Sequence, residues 1–334
     1  MNKGKSKLCR FVCATIILAV LIVLPLVTPN TYYRTLYNQV LVNGVIVMGL
    51  NYITGLTGQM NLATGGIMAL GAYGFSILST KAGLSPWLGI VFALVLGVAI
   101  GFGLGYPSLR VSGVYLSLTT IGFGEVIRIV LLNWRNMTGG ATGVRSIPRP
   151  SFFGLDLSSI NGYYYFLLAI VVLLYILAKR IAQSKWGRAF KSIRDNASAA
   201  QACGINIAYV KILAFTLAAI YGCLGGALYA GLMGFIAPGT FTQDLSVNYL
   251  VMMTIGGLGS FEGSLLGAAV VTMVPELLRF MEDYYWLIFS IITLLFAIFL
   301  PHGLVSVFKD SEFWLRHKQL HCKHMAETKG GKGA

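Results

Sequence analysis

The sequence predicts an all-α bundle of membrane-spanning helices, and three observations carry that expectation. Apolar runs of about twenty residues, the length that crosses a bilayer, recur along the chain. A chain of 334 residues that is 56% hydrophobic and 11% charged, with a mean hydropathy of +0.75, has too little polar surface for a water-soluble domain of its size. The polar residues also gather in the gaps between the runs, above all at 184–205, SKWGRAFKSIRDNASAAQACGI.

Taken in order, Lys3, Lys5, Lys7 and Arg10 precede an apolar run at 11–27. No small-x-small cleavage site follows it, so it reads as an uncleaved first span rather than a signal peptide. Further runs read as spans at 36–54, 65–80, 86–105, 113–132 and 162–179. After the polar interruption come 208–233, a short run at 245–258, 264–280 and 284–300. The expectation is about ten spans in a single transmembrane domain covering 1–334, with a polar tail at 301–334. The run at 245–258 is short for a crossing and reads equally as a re-entrant segment.

Charge orients this threading, because basic residues in short loops favour the cytoplasm. With both termini inside, eighteen of the twenty-five basic residues face the cytoplasm, including all seven from Lys179 to Lys211 and the six of the tail. The outer loops then hold Arg34, Lys81, Arg135, Arg145, Arg149 and Arg279. The net charge of +14 is explained by this asymmetry; no gap interleaves basic and aromatic residues as a nucleic-acid surface does.

Within the interruption, Phe190, Ile193, Ala197 and Ala200 recur at spacings of three and four and share one helical face, with Arg188, Lys191 and Arg194 elsewhere. Asp195, Asn196 and Ser198 suit a helix start and Gly204 the residue after a helix end, so two short helices with a bend near Asp195 are expected. Such a basic amphipathic unit either docks on a protein or lies on anionic membrane lipid. Spacing does not separate the two.

Small residues indicate where helices approach closely. Gly97, Gly101 and Gly105 repeat every four residues, as do Ala214, Ala218, Gly222, Gly226, Ala230 and Gly234. Two glycine-rich breaks, Gly55–Asn61 and Gly256–Gly263, interrupt apolar runs where freed backbone groups need partners from protein or from a water-filled cavity. The polar residues inside expected spans are few: Asn43, Asn51, Gln59, Asn61, Glu125, Arg128 and Asn248. Glu125 and Arg128, three apart, are able to pair. They fit either the wall of a solute path or a locking ion pair.

Catalytic and metal chemistry find no support. Gly4-Lys5-Ser6 lacks the rest of a phosphate loop, so the energy for any transport must come from elsewhere. No nucleophile, base and orienting residue come together in the helix of Glu125, and no cofactor is implied. The five cysteines have no metal-ligand spacing and are expected as free thiols, and His317, His321 and His324 with Cys322 sit in a polar terminus.

The motif W-G-R-A-F-K-S-I-R-D-N-x-x-A-A-x-A-x-G-I resembles the cytoplasmic coupling loop of permease subunits of high-affinity branched-chain amino acid ABC transporters, the LivM type. Further blocks continue the resemblance in order from about Asn51 to Leu304: G-L-T-G-Q-M-N-L-A-T-G-G, P-S-L-R-V-S-G-V-Y-L-S-L-T-T-I-G-F-G-E-V-I-R, T-G-G-A-T-G, I-G-G-L-G-S, V-P-E-L-L-R and P-H-G-L. The resemblance implies a permease in a bacterial-type inner membrane, paired with a homologous second permease, two cytoplasmic ATPase subunits and an external or periplasmic substrate-binding protein. It assigns Gly187, Arg188, Arg194, Asp195, Asn196, Ala199, Ala200 and Gly204 to ATPase coupling. Asn51, Gln59, Asn61, Glu125 and Arg128 are the candidates for the substrate path. Val114, where many relatives carry an acidic residue, and the run Asn61–Gly66 depart from the usual pattern and leave the solute open. The same family includes urea, amide and sugar permeases. An ion-coupled secondary transporter is the alternative of another class, and it would need more acidic residues in its spans than Glu125.

Overall fold

A computed structural model describes residues 21–22, 25, 30–111, 113–151, 159–277, 290–291, 293–294 and 303–304. The expected first and last spans, 11–27 and 284–300, lie almost wholly outside these residues, as do 278–280 and the histidine-bearing tail. Among the described residues the regular structure is helical, apart from one isolated bridge between Val144 and Ile236.

The helices are α1 (Thr31–Leu50), α2 (Thr64–Thr80), α3 (Pro86–Gly105), α4 (Val114–Asn133) and α5 (Ile160–Gln183), then the short α6 (Lys185–Asp195) and α7 (Ala197–Ala202), and finally α8 (Ile207–Met233), α9 (Gln243–Gly256) and α10 (Phe261–Leu277). α1 runs on into a π-helical turn, Asn51–Leu56. Five of the described segments are long and apolar enough to cross a membrane: Thr31–Leu56, Pro86–Leu109, Val114–Asn133, Ile160–Gln183 and Ile207–Met233. α9 and α10 form a sixth if the bent pair is taken together.

Several helices extend beyond the apolar stretches that announce them, because polar side chains cap their first turns. Asn30 accepts the Tyr32 N–H at 3.0 Å and starts α1 five residues before position 36. Ser159 accepts the Gly162 N–H at 3.1 Å for α5, and Asn206 the Tyr209 N–H at 3.1 Å for α8. At its other end α5 carries Lys179 and Arg180 within the helix, so hydropathy falls before helicity does.

α8 is the central column. The two small-residue stripes do not face each other. Gly97, Gly101 and Gly105 of α3 instead receive the α8 backbone at Ile220, Thr216 and Ile212; a methyl at Gly101 would sit 2.3 Å from the Thr216 Cα. The α8 stripe turns towards α2, where a methyl at Gly226 would meet the Met68 carbonyl oxygen at 2.0 Å. Gly49 of α1 meets α8 at Tyr221 and Ala218 in the same way. Gly234 closes α8 in the left-handed region at φ 67°. α3 buries only its glycine face; Val91, Val95, Val98 and Phe102 are exposed, as suits a helix at the lipid boundary.

At the end of α8 away from α6, Arg149 donates from Nε to the Gly231 carbonyl at 3.3 Å and from Nη2 to the Leu232 carbonyl at 3.2 Å. A cation there satisfies open carbonyls at a helix C-terminus. The Val144–Ile236 bridge ties the same loop to the residues following α8.

Candidate functional site

The polar interruption folds as two helices. Ser184 accepts the Trp186 N–H at 3.2 Å and opens α6. Asn196, extended at φ −159°, breaks α6 from α7 and accepts the Ala199 N–H at 3.0 Å. Gly204, at φ 83°, follows the end of α7. Phe190, Ile193 and Ala200 form the buried face, with Ala197 half-buried beside them.

The eight coupling candidates divide by this geometry. Arg188, Asp195, Asn196, Ala199 and Gly204 are exposed. Gly187 is buried, and a methyl there would sit 2.1 Å from the Ala182 carbonyl oxygen, so its bare backbone permits the tight passage from α5 into α6. Ala200 is only 4% exposed and packs into this chain's own core, because the α7 register turns it away from solvent. Of the adjacent alanines, Ala199 is the one available to a partner.

Arg194 is an exposed residue, yet its guanidinium reaches the bundle. Nη1 donates to the Gly55 carbonyl at 2.6 Å, a short charge-assisted bond. Gly55 belongs to the first glycine break, at the end of the π turn. Gly58, at φ 70°, leaves room for the arginine stem; a methyl there would lie 3.0 Å from the Arg194 Cγ.

The second break lies against the first. α9 and α10 are bent by 120° at Gly257–Ser260. Gly256 and Gly263 pack backbone on backbone, since a methyl on Gly256 would meet the Gly263 carbonyl oxygen at 2.0 Å. Asn51, wholly buried, joins the two breaks: its Oδ1 accepts the Gly259 N–H at 2.8 Å and its Nδ2 donates to Ser264 Oγ at 3.0 Å. One freed backbone group of each break, the Gly55 carbonyl and the Gly259 N–H, thus finds a side-chain partner within the protein.

Tyr52 forms the apolar counterpart of this junction. Its ring lies 6.4 Å from Phe190 of α6, 5.5 Å from Tyr221 of α8 and 5.1 Å from Phe261 of α10. Glu262 accepts from Tyr175 Oη at 2.6 Å and pairs with Lys179 Nζ at 2.9 Å, fastening the start of α10 to α5. Sequence reasoning passed over both residues. Glu262 had a signal, a carboxylate inside a glycine break between apolar runs; Tyr52 had only its place beside Asn51.

The remaining path candidates stand apart from one another. Gln59 is half-buried in the loop between the π turn and α2, and Asn61 is buried, accepting the Ala63 N–H at 3.0 Å. That loop touches α4, where Thr120 Oγ1 accepts the Leu62 N–H at 3.0 Å. Glu125 and Arg128 form a bidentate pair on α4, with Nε 3.0 Å from each carboxylate oxygen and Nη2 2.5 Å from Oε1. Their side chains are 41% and 28% exposed, and they flank an uncovered face of α4 that also shows Tyr115, Leu118, Thr119, Gly122 and Val126. Among the described residues no group of three His, Cys, Asp or Glu side chains is placed to hold a metal.

Comparison with known proteins agrees with this architecture. Residues 32–298 match the family described as "Branched-chain amino acid transport system / permease component". The chain is 34% identical over 286 residues, covering 79% of it and 67% of the relative, to the high-affinity branched-chain amino acid transport system permease protein LivM of Salmonella typhimurium. It has the same identity and coverage with LivM of Escherichia coli. Similarity extends at 25% over 239 residues, 69% of this chain and 64% of the relative, to the autoinducer 2 import system permease protein LsrC of Yersinia enterocolitica. No solved structure matches the chain. On the family match and the LivM identity together, this chain belongs to the family of permease components of branched-chain amino acid transport systems.

Proposed function

We propose that the chain is a permease subunit of an ATP-driven importer that moves branched-chain amino acids inward across the cytoplasmic membrane. It has about ten spans, with both termini and the α6–α7 handle on the cytoplasmic side. The 34% identity to LivM proteins over most of the chain carries the solute assignment. The basic bias of the loops supports the orientation. The chain contributes no enzyme chemistry; ATP is hydrolysed by two partner subunits, and an external binding protein delivers the solute to a cavity shared with a second permease. Membrane lipid surrounds the remaining surface.

The exposed residues Arg188, Asp195, Asn196, Ala199 and Gly204 form the surface offered to the ATPase, with Gly187 and Ala200 setting the shape of the handle and Arg194 joining it to the bundle. Glu125 and Arg128 on the open face of α4 are the wall residues of the path, while Asn51, Gln59 and Asn61 shape its glycine-rich neighbour. A charged pair beside a shared cavity suits a zwitterion, because each end of the solute meets an opposite charge.

The test has two readouts. Membranes carrying the complete transporter should take up labelled leucine, isoleucine or valine only with ATP and the binding protein. In a cysteine-free chain, Ser198→Cys should react with an impermeant maleimide only after the cells are opened, and more slowly when the ATPase is bound. Labelling from outside would reverse the orientation, and labelling indifferent to the ATPase would leave the handle to lipid.

A further inference from the structure

We propose that Arg194 is a mechanical pin through which movement of the handle reaches both glycine breaks at once. The inference rests on the handle being the coupling element, and it adds what lies between that element and the solute path. Four observations carry it. The guanidinium of Arg194 binds the Gly55 carbonyl at 2.6 Å, at the close of the π turn. Gly58 makes space for the arginine stem by its left-handed conformation and missing side chain. The second break approaches the same point, since a methyl on Gly259, itself at φ 82°, would lie 3.4 Å from the Gly55 oxygen and 3.5 Å from Arg194 Nη1. Asn51, one π turn before Gly55, holds the Gly259 N–H at 2.8 Å.

The chain of contacts is therefore α6, Arg194, Gly55, Asn51, Gly259 and the 120° bend between α9 and α10. Its links are polar and directional, unlike the surrounding apolar packing, so a displacement of α6 pulls on both breaks rather than sliding past them. The breaks are where the backbone has the freedom to respond: a π turn is an over-wide helical turn, and Gly58, Gly257 and Gly259 all occupy positive φ. The Tyr52 ring cluster supports the same junction from its apolar side but does not reach the Gly259 turn by a hydrogen bond. Arg194 is a positioning residue: it acts on the path through other groups.

The experiment uses the complete transporter in nanodiscs or vesicles and compares Arg194→Ala, Arg194→Lys and Gly58→Ala with the unaltered chain. Three quantities are read: ATPase retained on purification, ATP hydrolysed, and solute moved. Arg194→Ala should retain the ATPase and hydrolyse ATP within about twofold of the unaltered complex, while uptake falls at least tenfold. The fall should lie in the maximal rate and not in the half-saturating concentration of binding protein. Arg194→Lys keeps a donor cation without the planar fork and should recover part of the uptake. Gly58→Ala, which crowds the arginine stem from the other side, should raise the ATP used per solute in the same direction.

Unchanged uptake in Arg194→Ala overturns the pin. Loss of the bound ATPase together with uptake also overturns it, assigning Arg194 to docking and leaving the handle's coupling role intact. If the unaltered chain itself retains no ATPase, the underlying reading of the handle fails instead. Should Arg194→Ala not fold, Gly58→Ala and Arg194→Lys decide: normal ATP use per solute in both refutes the proposal.

Discussion

Two glycines on α3, two residues apart, should respond to the same substitution with opposite signs. A methyl at Gly101 would stand 2.3 Å from the Thr216 Cα and 2.9 Å from the Phe215 carbonyl oxygen, both backbone atoms of α8 that have no rotamer to escape into. To reach ordinary contact, α3 and α8 must separate by roughly 1 Å along a seam that Gly97 and Gly105 also hold closed, an overpacking cost of about 1–3 kcal/mol. Gly103 points into open space, with nothing within 4 Å of a built methyl. Alanine there costs no packing and gains about 1 kcal/mol of helix propensity. The pair should therefore differ by about 2–4 kcal/mol, Gly103→Ala standing at or above the unaltered chain and Gly101→Ala below it. Unfolding midpoints in one detergent, read by fluorescence from the native tryptophans, check the order. Equal midpoints for the two variants would refute close packing of α3 on α8 as the reason for the glycine repeat.

Asn51→Leu keeps the volume but removes both partners of the strut, leaving the Gly259 N–H unpaired inside the protein. The expected loss is about 1–3 kcal/mol of stability, and an unfolding midpoint unchanged from the parent would remove Asn51 from the junction. For the α4 pair, exchanging the charges as Glu125→Arg with Arg128→Glu should restore the membrane level lost in either single variant, because the attraction is nearly symmetric. Uptake should stay low in the exchanged protein, and its full recovery would reduce the pair to a lock within one helix.

The legible part of the fold was what hydropathy and caps report. The run at 86–105 coincides with α3, because Pro86 opens the helix and apolar residues fill it to its end. The bend of the handle was legible too, since Asn196 announces a helix start by its side chain alone. What the sequence concealed were relations between distant segments. Glycines at 97, 101 and 105 state that something comes close without stating what, and the answer is the backbone beneath Ile212, Thr216 and Ile220, none of them a glycine or alanine of the α8 repeat. Ala199 and Ala200 look alike in the sequence, and only the packing of α7 shows that the second belongs to the interior. Arg194 reads as one more cation on a basic loop, because its acceptor is a carbonyl that composition cannot reveal. Asn51 reads as a polar residue free to meet a solute, whereas both ends of its amide are already engaged.

The contrast between α8 and its neighbours also sorts the molecule into frame and moving parts. α8 is one uninterrupted helix of 27 residues, about 40 Å at 1.5 Å per residue. One end is tied down by Arg149, and the other is bracketed by the Asn206 cap and by Trp186, whose ring lies 5.4 Å from that of Tyr209. A rod clamped at both ends transmits load without changing length, so it is a poor hinge and a good mast. α3 and α2, fitted to it at bare glycines, are rigged to the same spar. Shape change is then left to the elements that α8 does not brace by bare backbone, the π turn and the α9–α10 hairpin.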